Sequence, residues 1–374
     1  MKRITFLTGT RADFGKIKSL LQILDDDPDF EPHIFATGMH MQEKYGYTVK
    51  EIEKSGFKFI YTFDNHISQG TMDLNLAKTI EGFSAYVKKI KPELIVVHGD
   101  RVETLAGAIV GALNNILVAH IEGGEISGTV DELIRHSVSK LSHLHFVSNA
   151  PAAKRLEQMG ELTESIYEIG SPDVDIMFSG NLPNLEEVKR YYEIPFDTYN
   201  VAMFHPVTTE FEQMQENATH FVDALLADDT NYVIIYPNND LGSDLIFKTY
   251  ERLHGNPRFR IFPSIRFEYF LTLLKRAEFM IGNSSAGIRE APYYHIPTVN
   301  IGTRQQNRSL HEDIIHSTYE TQDIINSIEK AKELKVQHAD ESFGEGNSAT
   351  LFLLALKNDT LWKLSNQKQF RDRI

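Results

Sequence analysis

The sequence predicts an α/β fold in which two halves of similar size, each built around a parallel sheet, face each other. Short apolar runs alternate with longer amphipathic stretches along the chain, a pattern that is typical of βαβ units. Some runs, such as residues 94–97, are apolar throughout, as expected for parallel strands that are buried on both faces. The chain has 374 residues, whereas one ordinary core takes about 100–150, so two or three domains are expected.

Five apolar runs predict the strands of the first half, and amphipathic stretches such as residues 15–24 and 104–113 predict helices between them. In chain order, the predicted strands are residues 4–7, 33–36, 94–97, 117–121 and 145–147. Ligands of open α/β sheets bind at the carboxyl ends of the strands, so functional side chains are expected directly after these runs.

A second series of strands begins after the turn at residues 170–172. In chain order, these strands are residues 200–204, 232–236, 258–261, 279–281 and 298–301. Residues 349–363 predict a helix that carries the single tryptophan, Trp362. In two-domain α/β enzymes of this shape, such a tail often packs back on the first domain. The segment 179–183 is an alternative linker between the halves. The expected domains are residues 1–170, residues 171–355 and a C-terminal tail over 356–374.

Charge and composition exclude several classes of protein. The chain has 38 basic and 52 acidic side chains, and its net charge of −14 argues against a nucleic-acid or anionic-membrane binder. It has no cysteine, which excludes disulfides, thiolate nucleophiles and zinc-thiolate sites. No apolar run approaches the roughly 20 residues of a membrane span, and only a short strand follows the N-terminal Met1–Lys2–Arg3. A cytoplasmic enzyme is therefore expected.

Two polar clusters follow strands of the first half, and each has two interpretations. In one interpretation, residues 9–16 bind an anion, because the glycine allows close approach of the backbone and the helix that follows has free N–H groups at its start. In the other, they form an ordinary strand–turn–helix corner with a surface arginine, Arg11. A P-loop is excluded, because the glycines are one residue too far apart and isoleucine follows Lys16. Residues 98–101 form either a catalytic edge or a helix cap in which Asp100 is the N-cap residue.

A third cluster, at residues 120–136, favours the catalytic interpretation. Glu122 ends a buried strand and is followed by two glycines, while a helix that starts near Val130 places Asp131 in its first turn. With Asp100 on the adjacent strand, three carboxylates converge, and such crowding supplies a general acid and a general base at neutral pH. The alternative is that the acidic residues only favour a helix start, which explains Asp131 but not Glu122.

In the second half, the segment 282–290 lies between a strand and a helix. Its small hydroxyl residues and glycines are typical of a diphosphate cradle at a helix N-terminus, with Glu290 two turns along to bind a ribose. A simple N-cap serine is the alternative. Arg304 is within reach of a phosphate oxygen, whereas His205 and the segment 236–240 taken alone predict only a structural histidine and a turn.

Taken together, these segments resemble the UDP-N-acetylglucosamine 2-epimerases, in order from residue 4 to about 355. The segments are GTRAD at 9–13, HGDR at 98–101, HIEGGEISGT at 120–129, FHPVTT at 204–209, YPNND at 236–240, GNSSAGIRE at 282–290 and NIGTRQ at 300–305. They are similar to the hydrolysing branch, because Ala12, with Asp13 next, stands where the other branch typically has proline, and because the later HP-containing motif reads HPVTT. The resemblance implies two Rossmann-like domains that face a central cleft, a GT-B-type architecture, and release of UDP and N-acetylmannosamine in sialic acid biosynthesis.

The resemblance also implies roles for individual residues. Ser284, Ser285 and Glu290 hold the diphosphate and ribose, with Arg11 and Arg304 nearby on phosphate. Asn238 and the backbone around Ser264–Ile265 lie near the nucleotide. His205 faces the glycosyl phosphate. UDP leaves to give a glycal, Asp131 or Asp100 is the base, and Glu122 is the acid that reprotonates C2. Neither a metal nor a cofactor is expected, and the partner is a second copy of the chain, as a homodimer or homotetramer.

Three alternatives stay open. A close relative acts on UDP-2,4-diacetamido-2,4,6-trideoxyglucose in legionaminic acid synthesis, and its substrate differs only at C4 and C6. A glycosyltransferase uses the same nucleotide cradle, but the three convergent carboxylates speak against it. The third alternative is a sensor that binds a nucleotide sugar without turnover.

Overall fold

The computed structural model describes residues 1–67, 70–306, 308, 314–336 and 342–369. Contacts divide the chain into two compact units. Unit 1 comprises Met1–Glu125, Asp131–Ser179 and Ser342–Ile374, and unit 2 comprises Ile126–Val130 and Gly180–Glu341.

The sheet of unit 1 is parallel throughout, with the order β3-β2-β1-β4-β5-β6-β7 among the described residues. Its strands are β1 (Lys2–Thr8), β2 (Phe30–Ala36), β3 (Phe59–Thr62), β4 (Leu94–His98), β5 (Leu117–Ile121), β6 (Leu144–Val147) and β7 (Ile166–Glu168). The order reverses between β1 and β4, and ligands of open sheets bind outside the carboxyl ends at such a point. In the register of β4 and β5, His98 is opposite Ile121, so the loops that follow these strands start side by side.

The sheet of unit 2 is also parallel, with the order β10-β9-β8-β11-β12-β13 in the described part of the chain. Its strands are β8 (Asn200–Met203), β9 (Tyr232–Ile235), β10 (Phe259–Phe262), β11 (Met280–Gly282), β12 (Thr298–Ile301) and β13 (Ile314–Ser317). Here the order reverses between β8 and β11. The two parallel sheets confirm the predicted fold class of two α/β halves.

The helices connect the strands of each unit. They are α1 (Arg11–Asp25), α2 (Val49–Glu53), α3 (Met72–Ile90), α4 (Val102–Leu113), α5 (Val130–Leu141), α6 (Ala150–Gln158), α7 (Pro172–Phe178), α8 (Leu185–Tyr191), α9 (Met214–Ala227), α10 (Ser243–Tyr250), α11 (Phe267–Leu274), α12 (Ala286–Arg289), α13 (Thr321–Glu333) and α14 (Ser348–Lys357). Within the described residues, none of them has both the length and the apolar character that a membrane span requires.

The last helix, α14, packs in the core of unit 1. Its Phe352 is fully buried and contacts Phe6 of β1 and Phe146 of β6, with ring centroids 6.3 and 4.7 Å apart. The carboxylate of Asp175 on α7 accepts hydrogen bonds from the first backbone N–H groups of α14, Ser348 N at 2.8 Å and Ala349 N at 2.7 Å. Because α7 and α14 both pack in unit 1, the long segment of unit 2 is Gly180–Glu341, whereas the sequence predicts a second domain over residues 171–355.

Three edge strands escaped prediction from the sequence. β3 is half-buried or exposed along its length, β7 has only three residues, and β13 is buried only at its first and last residues. None of them shows the continuous apolar run that predicts a central parallel strand, because an edge strand has only one neighbour to bury it. The ten predicted strands are confirmed within one to three residues at their ends.

Candidate functional site

The three predicted carboxylates of unit 1 all act electrostatically on one buried arginine, Arg135 on α5. Its guanidinium is fully buried and pairs with the carboxylate of Asp100, and it donates to the backbone oxygen of Glu125 at 3.2 Å. Burial alone would lower the pKa of Arg135, but the negative charges of Asp100, Glu125, Glu122 and Asp131 outweigh it and raise that pKa. Asp100, Glu122 and Asp131 are therefore brought together, and with Arg135 we call them the carboxylate cluster.

Glu122 takes up a backbone conformation that is unusual for a residue with a side chain. Its φ of +67° is in the left-handed region, and its N–H donates to the backbone oxygen of Phe146 at 3.1 Å. Such a conformation costs roughly 1–3 kcal/mol and tends to occur at functional sites. The turn directs a buried carboxylate to the edge of the sheet, where Ser171 donates its hydroxyl hydrogen to Oε1 at 3.1 Å.

His98, the last residue of β4, lies between two carboxylates. Its Nδ1 is 2.8 Å from Oδ1 of Asp13, and its Nε2 is 3.2 Å from Oε1 of Glu122. Burial disfavours the charged ring, but the charge of Glu122 and the hydrogen bond to Asp13 outweigh it and raise the pKa of His98 to about 10. The ring is therefore an imidazolium at neutral pH.

A second buried histidine, His120, is uncharged at neutral pH and holds the turn that leads to Asp100. Burial lowers the pKa of His120 to about 3, so the ring is neutral at pH 7. Its Nε2 lies 2.8 Å from the backbone oxygen of Gly99, and the N–H of Gly99 donates to the oxygen of Ile121 at 3.0 Å. Gly99 has a φ of +76°, which favours glycine. The turn before Asp100 is thus fixed from β5 at both the N–H and the carbonyl oxygen of Gly99.

Arg11, predicted to contact a phosphate, lies at the first position of α1. Its guanidinium pairs with the carboxylate of Glu51 on α2, within unit 1. The side chain of Thr10 caps α1 by accepting from the N–H of Asp13 at 3.1 Å. A role for Arg11 toward phosphate stays a prediction.

In unit 2, Asn283 after β11 organises the loop that follows β8. Its carbonyl oxygen accepts from the N–H of His205 at 2.6 Å, and its amide donates to the backbone oxygen of His205 at 2.8 Å. The backbone oxygen of Asn283 accepts from Arg304 at 3.3 Å and from Gln305 at 3.0 Å. Asn283 therefore joins three loops, and we call it with His205, Arg304 and Gln305 the amide cluster.

The imidazole of His205 is held in one tautomer. Its Nδ1 accepts from the backbone N–H of Asn238 at 3.1 Å, so the ring hydrogen of the neutral side chain is on Nε2. The side chain of Asn238 donates to Asp240 in the same turn. His205 can therefore donate a hydrogen bond from Nε2 to an anion without carrying a positive charge.

The predicted diphosphate segment folds differently from the expectation. The expected helix is the single turn α12, and Glu290 stands directly after it instead of two turns along, so this prediction is wrong. Pro292 follows two residues later and has no N–H with which to continue the helix. Gly282 is needed where β11 passes β8, because a Cβ there would lie 1.9 Å from the oxygen of Met203.

The remaining predicted residues of unit 2 lie around these loops. Ser285 is the N-cap residue of α12, and Oγ of Ser284 accepts from the N–H of Ala286 at 3.3 Å. Glu290 and Ile265 are buried, and Ile265 lies in the loop between β10 and α11. The roles of Ser284, Ser285, Glu290 and Ile265 toward a nucleotide stay predictions. Among the described residues, no group of three or more His, Asp or Glu side chains is arranged to hold a metal ion.

Sequence reasoning missed four residues that organise these sites: Arg135, His98, Asp13 and Asn283. All four lie in segments that the sequence singled out, but as neighbours of the chosen residues rather than as candidates. An available signal was the position of His98 at the end of an apolar strand. For Arg135, the signal was its spacing of four residues from Asp131 on one helix.

Comparison with known proteins finds close similarity along the whole chain. The family model described as UDP-N-acetylglucosamine 2-epimerase matches residues 22–357. A protein of Neisseria meningitidis serogroup B named UDP-N-acetylglucosamine 2-epimerase is 50% identical over 375 residues, 100% of this chain and 99% of that protein. A Legionella pneumophila protein named UDP-N,N'-diacetylbacillosamine 2-epimerase (hydrolyzing) is 32% identical, over 93% of this chain and 94% of that one.

Solved structures share the fold at lower sequence identity. The Methanocaldococcus jannaschii UDP-GlcNAc 2-epimerase, crystallised in complex with UDP-GlcNAc and UDP, superposes with a TM-score of 0.81. It is 22% identical, and the match covers 95% of this chain and 99% of that chain. This likeness shows the common fold.

Proposed function

The chain belongs to the family of UDP-N-acetylglucosamine 2-epimerases, and we propose that it is a hydrolysing member. It converts UDP-N-acetylglucosamine and water to UDP and N-acetylmannosamine. The carboxylate cluster carries this proposal, because three carboxylates around one buried guanidinium suit proton transfer at carbon rather than transfer of a sugar to an acceptor. The hydrolysing mode is supported by the 32% identical relative whose name states it.

In the first step the bond between C1 and the diphosphate breaks. Hydrogen-bond donors stabilise the charge that develops on the departing UDP, and the amide cluster supplies them through Nε2 of His205 and the guanidinium of Arg304. We propose that Ser284, Ser285 and Glu290 bind the diphosphate and ribose, that Asn238 and the backbone at Ile265 lie near the nucleotide, and that Arg11 contributes a further cation.

Loss of UDP leaves positive charge at C1, which acidifies the hydrogen on C2. A carboxylate, Asp131 or Asp100, removes this proton and a glycal forms. Glu122, which has taken up a proton from solvent, then delivers it to the opposite face of C2, so that the configuration at C2 is inverted. Water adds at C1 and releases a proton to solvent. The imidazolium of His98 beside Oε1 supports Glu122 in this role, because it stabilises the carboxylate that remains after the proton has left.

The N-acetylglucosamine substrate is supported by the name of the 50% identical relative. The second candidate is the diacetamido sugar, UDP-N,N'-diacetylbacillosamine, and the name of the Legionella relative favours it. Because the proposed chemistry takes place at C1 and C2, the same residues serve either sugar. The ratio of kcat/KM for the two substrates decides between them.

We also propose that the enzyme is cytoplasmic and that it forms a homodimer or homotetramer in sialic acid biosynthesis. Light scattering of the purified enzyme at micromolar concentration measures its mass directly. A mass of one chain, 42.7 kDa, would contradict the assembly.

The function is tested by following UDP-N-acetylglucosamine with the purified enzyme by phosphorus and proton NMR. We expect free UDP and free N-acetylmannosamine in equal amounts. N-acetylmannosamine that remains joined to UDP would place the enzyme in the non-hydrolysing branch. If the substrate stays unchanged while the diacetamido sugar is consumed, the second candidate is the substrate.

A further inference from the structure

We propose that Asp13 is a positioning residue for this reaction: it holds the imidazole of His98 so that the other ring nitrogen faces Glu122. The proposal rests on the proposed function, in which Glu122 transfers a proton. Asp13 lies in the first turn of α1, 85 residues before His98 in the chain. It acts on the substrate only through His98.

The geometry is a chain of carboxylate, imidazole and carboxylate. Oδ1 of Asp13 is 2.8 Å from Nδ1 of His98, and Nε2 of the same ring is 3.2 Å from Oε1 of Glu122. The side chains of Asp13, His98 and Glu122 are only 13, 7 and 7% exposed. With a carboxylate at each nitrogen, the ring can turn neither over nor aside without losing a partner.

The carboxylate of Asp13 is itself fixed in place. Its second oxygen, Oδ2, accepts from the backbone N–H of Gly9 at 3.0 Å, and its own N–H donates to Oγ1 of Thr10. Thr10 already caps α1 through that N–H, so the cap does not depend on the charge of Asp13. A negative charge at this position is needed for His98 instead.

The charged and titratable groups that face His98 come from three elements. Asp13 approaches from α1 and Glu122 from the end of β5, and both favour the imidazolium. His120 on β5 is neutral, and Arg135 on α5 interacts with the carboxylates of Asp100, Glu125, Glu122 and Asp131, the first of these most strongly. Removing the charge of Asp13 therefore leaves one carboxylate in place of two to hold the proton on His98. His98 should then lose its proton at a lower pH, and Glu122 should lose its cation with it.

The test is the pH profile of Asp13→Asn in the purified full-length enzyme. We expect kcat to fall about 10- to 100-fold, with KM changed less than about threefold, since a shift of about 1 Å in a reacting group has an effect of this size. The alkaline limb of the kcat profile should move to lower pH by at least about one unit. Asp13→Glu keeps the charge and should restore the position of that limb.

The matched control is Asp25→Asn, which removes the same charge from the exposed last residue of α1. It should leave kcat, KM and the pH profile as in the wild type. If Asp13→Asn behaves like Asp25→Asn, the proposal is wrong. If Asp13→Asn lowers Tm and activity together but leaves the alkaline limb in place, Asp13 only supports the helix start, and the proposal is also wrong.

A measurement without turnover separates this proposal from the proposed function. The imidazole of His98 can be titrated by NMR in histidine-labelled enzyme, with its signal assigned from a His98→Gln sample. We expect the pKa of His98 to be lower in Asp13→Asn than in the wild type by at least about one unit. An unchanged titration overturns the proposal, whereas a wild-type enzyme that releases no UDP overturns the proposed function alone.

Discussion

At the carboxyl edge of unit 1 the acidic side chains are paired with buried cations, Asp100 with Arg135 and Glu122 with His98. At the corresponding edge of unit 2 the interior group is an amide, Asn283, and the histidine His205 accepts a hydrogen bond at Nδ1. Both edges lie at the point where the strand order of a parallel sheet reverses. The same sheet architecture thus carries a site of acidic and cationic side chains in unit 1 and a site organised by hydrogen bonds of an amide in unit 2. Changes at the two edges should therefore have different effects on turnover and binding.

The largest effect is expected from removing the carboxylates of unit 1 one at a time. Asp100→Asn, Glu122→Gln and Asp131→Asn should each lower kcat by about 10²–10⁴-fold, the usual contribution of a general acid or base. Binding of UDP, measured by calorimetry, should change less than about threefold. Glu132→Gln, one residue beyond Asp131 on α5, is the control and should keep its activity. Loss of UDP binding together with turnover would break the distinction between the two edges.

Arg135→Met should destabilise the protein strongly, because it leaves several carboxylates without their buried cation. Breaking a buried ion pair costs about 3–5 kcal/mol, and the free energy of unfolding from urea titration should fall by that amount at pH 7. The loss should be smaller at low pH, where the carboxylates become neutral. Arg252→Met removes an exposed pair with Asp223, and less than about 1 kcal/mol is expected. Equal losses for the two variants would contradict the central position of Arg135.

Asn283→Ala tests the amide cluster of unit 2. Asn283 is fully buried, and its loss leaves the N–H and the carbonyl oxygen of His205 without the partners that hold them. An unpaired buried group costs about 1–3 kcal/mol, so we expect UDP affinity to fall at least about tenfold. The exposed Asn326→Ala in the same unit should bind UDP as the wild type does. Unchanged UDP affinity in Asn283→Ala would show that the amide cluster does not bind the nucleotide.

The smallest effect concerns stability at alkaline pH. The raised pKa of His98 means that the folded protein holds this proton more tightly than the unfolded chain, with its ordinary pKa near 6.5. The stabilisation is complete below about pH 6.5 and is lost as the pH rises through about 10. The difference in unfolding free energy between wild type and His98→Gln should shrink by at least about 1 kcal/mol between pH 6.5 and 10.5, the equivalent of roughly one pKa unit. A constant difference would show that His98 is not an imidazolium.

Much of the fold and part of the site could be predicted from the sequence, for a physical reason. A central parallel strand is buried on both faces and therefore shows as an apolar run, and the residue after the run lies at the ligand edge. Asp100 and Glu122 were found in this way. The position of a residue relative to the end of a strand can be predicted from the local sequence alone. The central strands of both confirmed sheets were predicted in this way.

Contacts that depend on packing could not be predicted in this way. An arginine in the middle of a helix is ordinarily solvated. The spacing of Arg135 from Asp131 indicates a pair on one helix face, but it does not show that α5 turns this face into the interior. The partner of His98 on α1 is set by the register of β1 and β4, across 85 residues of chain. Pro292 has no N–H with which to extend α12, so the helix has a single turn. The sequence pattern before Pro292 predicts a longer helix and therefore places Glu290 wrongly.

Proton exchange at C2 tests the central claim most directly. The wild-type enzyme is incubated with UDP-N-acetylglucosamine in deuterated water, and the free sugar is analysed by proton NMR and mass spectrometry. We expect N-acetylmannosamine that carries one deuterium at C2, because one carboxylate removes the C2 proton and another delivers a proton from solvent. N-acetylglucosamine with its original hydrogen at C2 would mean that the enzyme only hydrolyses the glycosyl phosphate, and the acid–base role of the carboxylate cluster would be wrong.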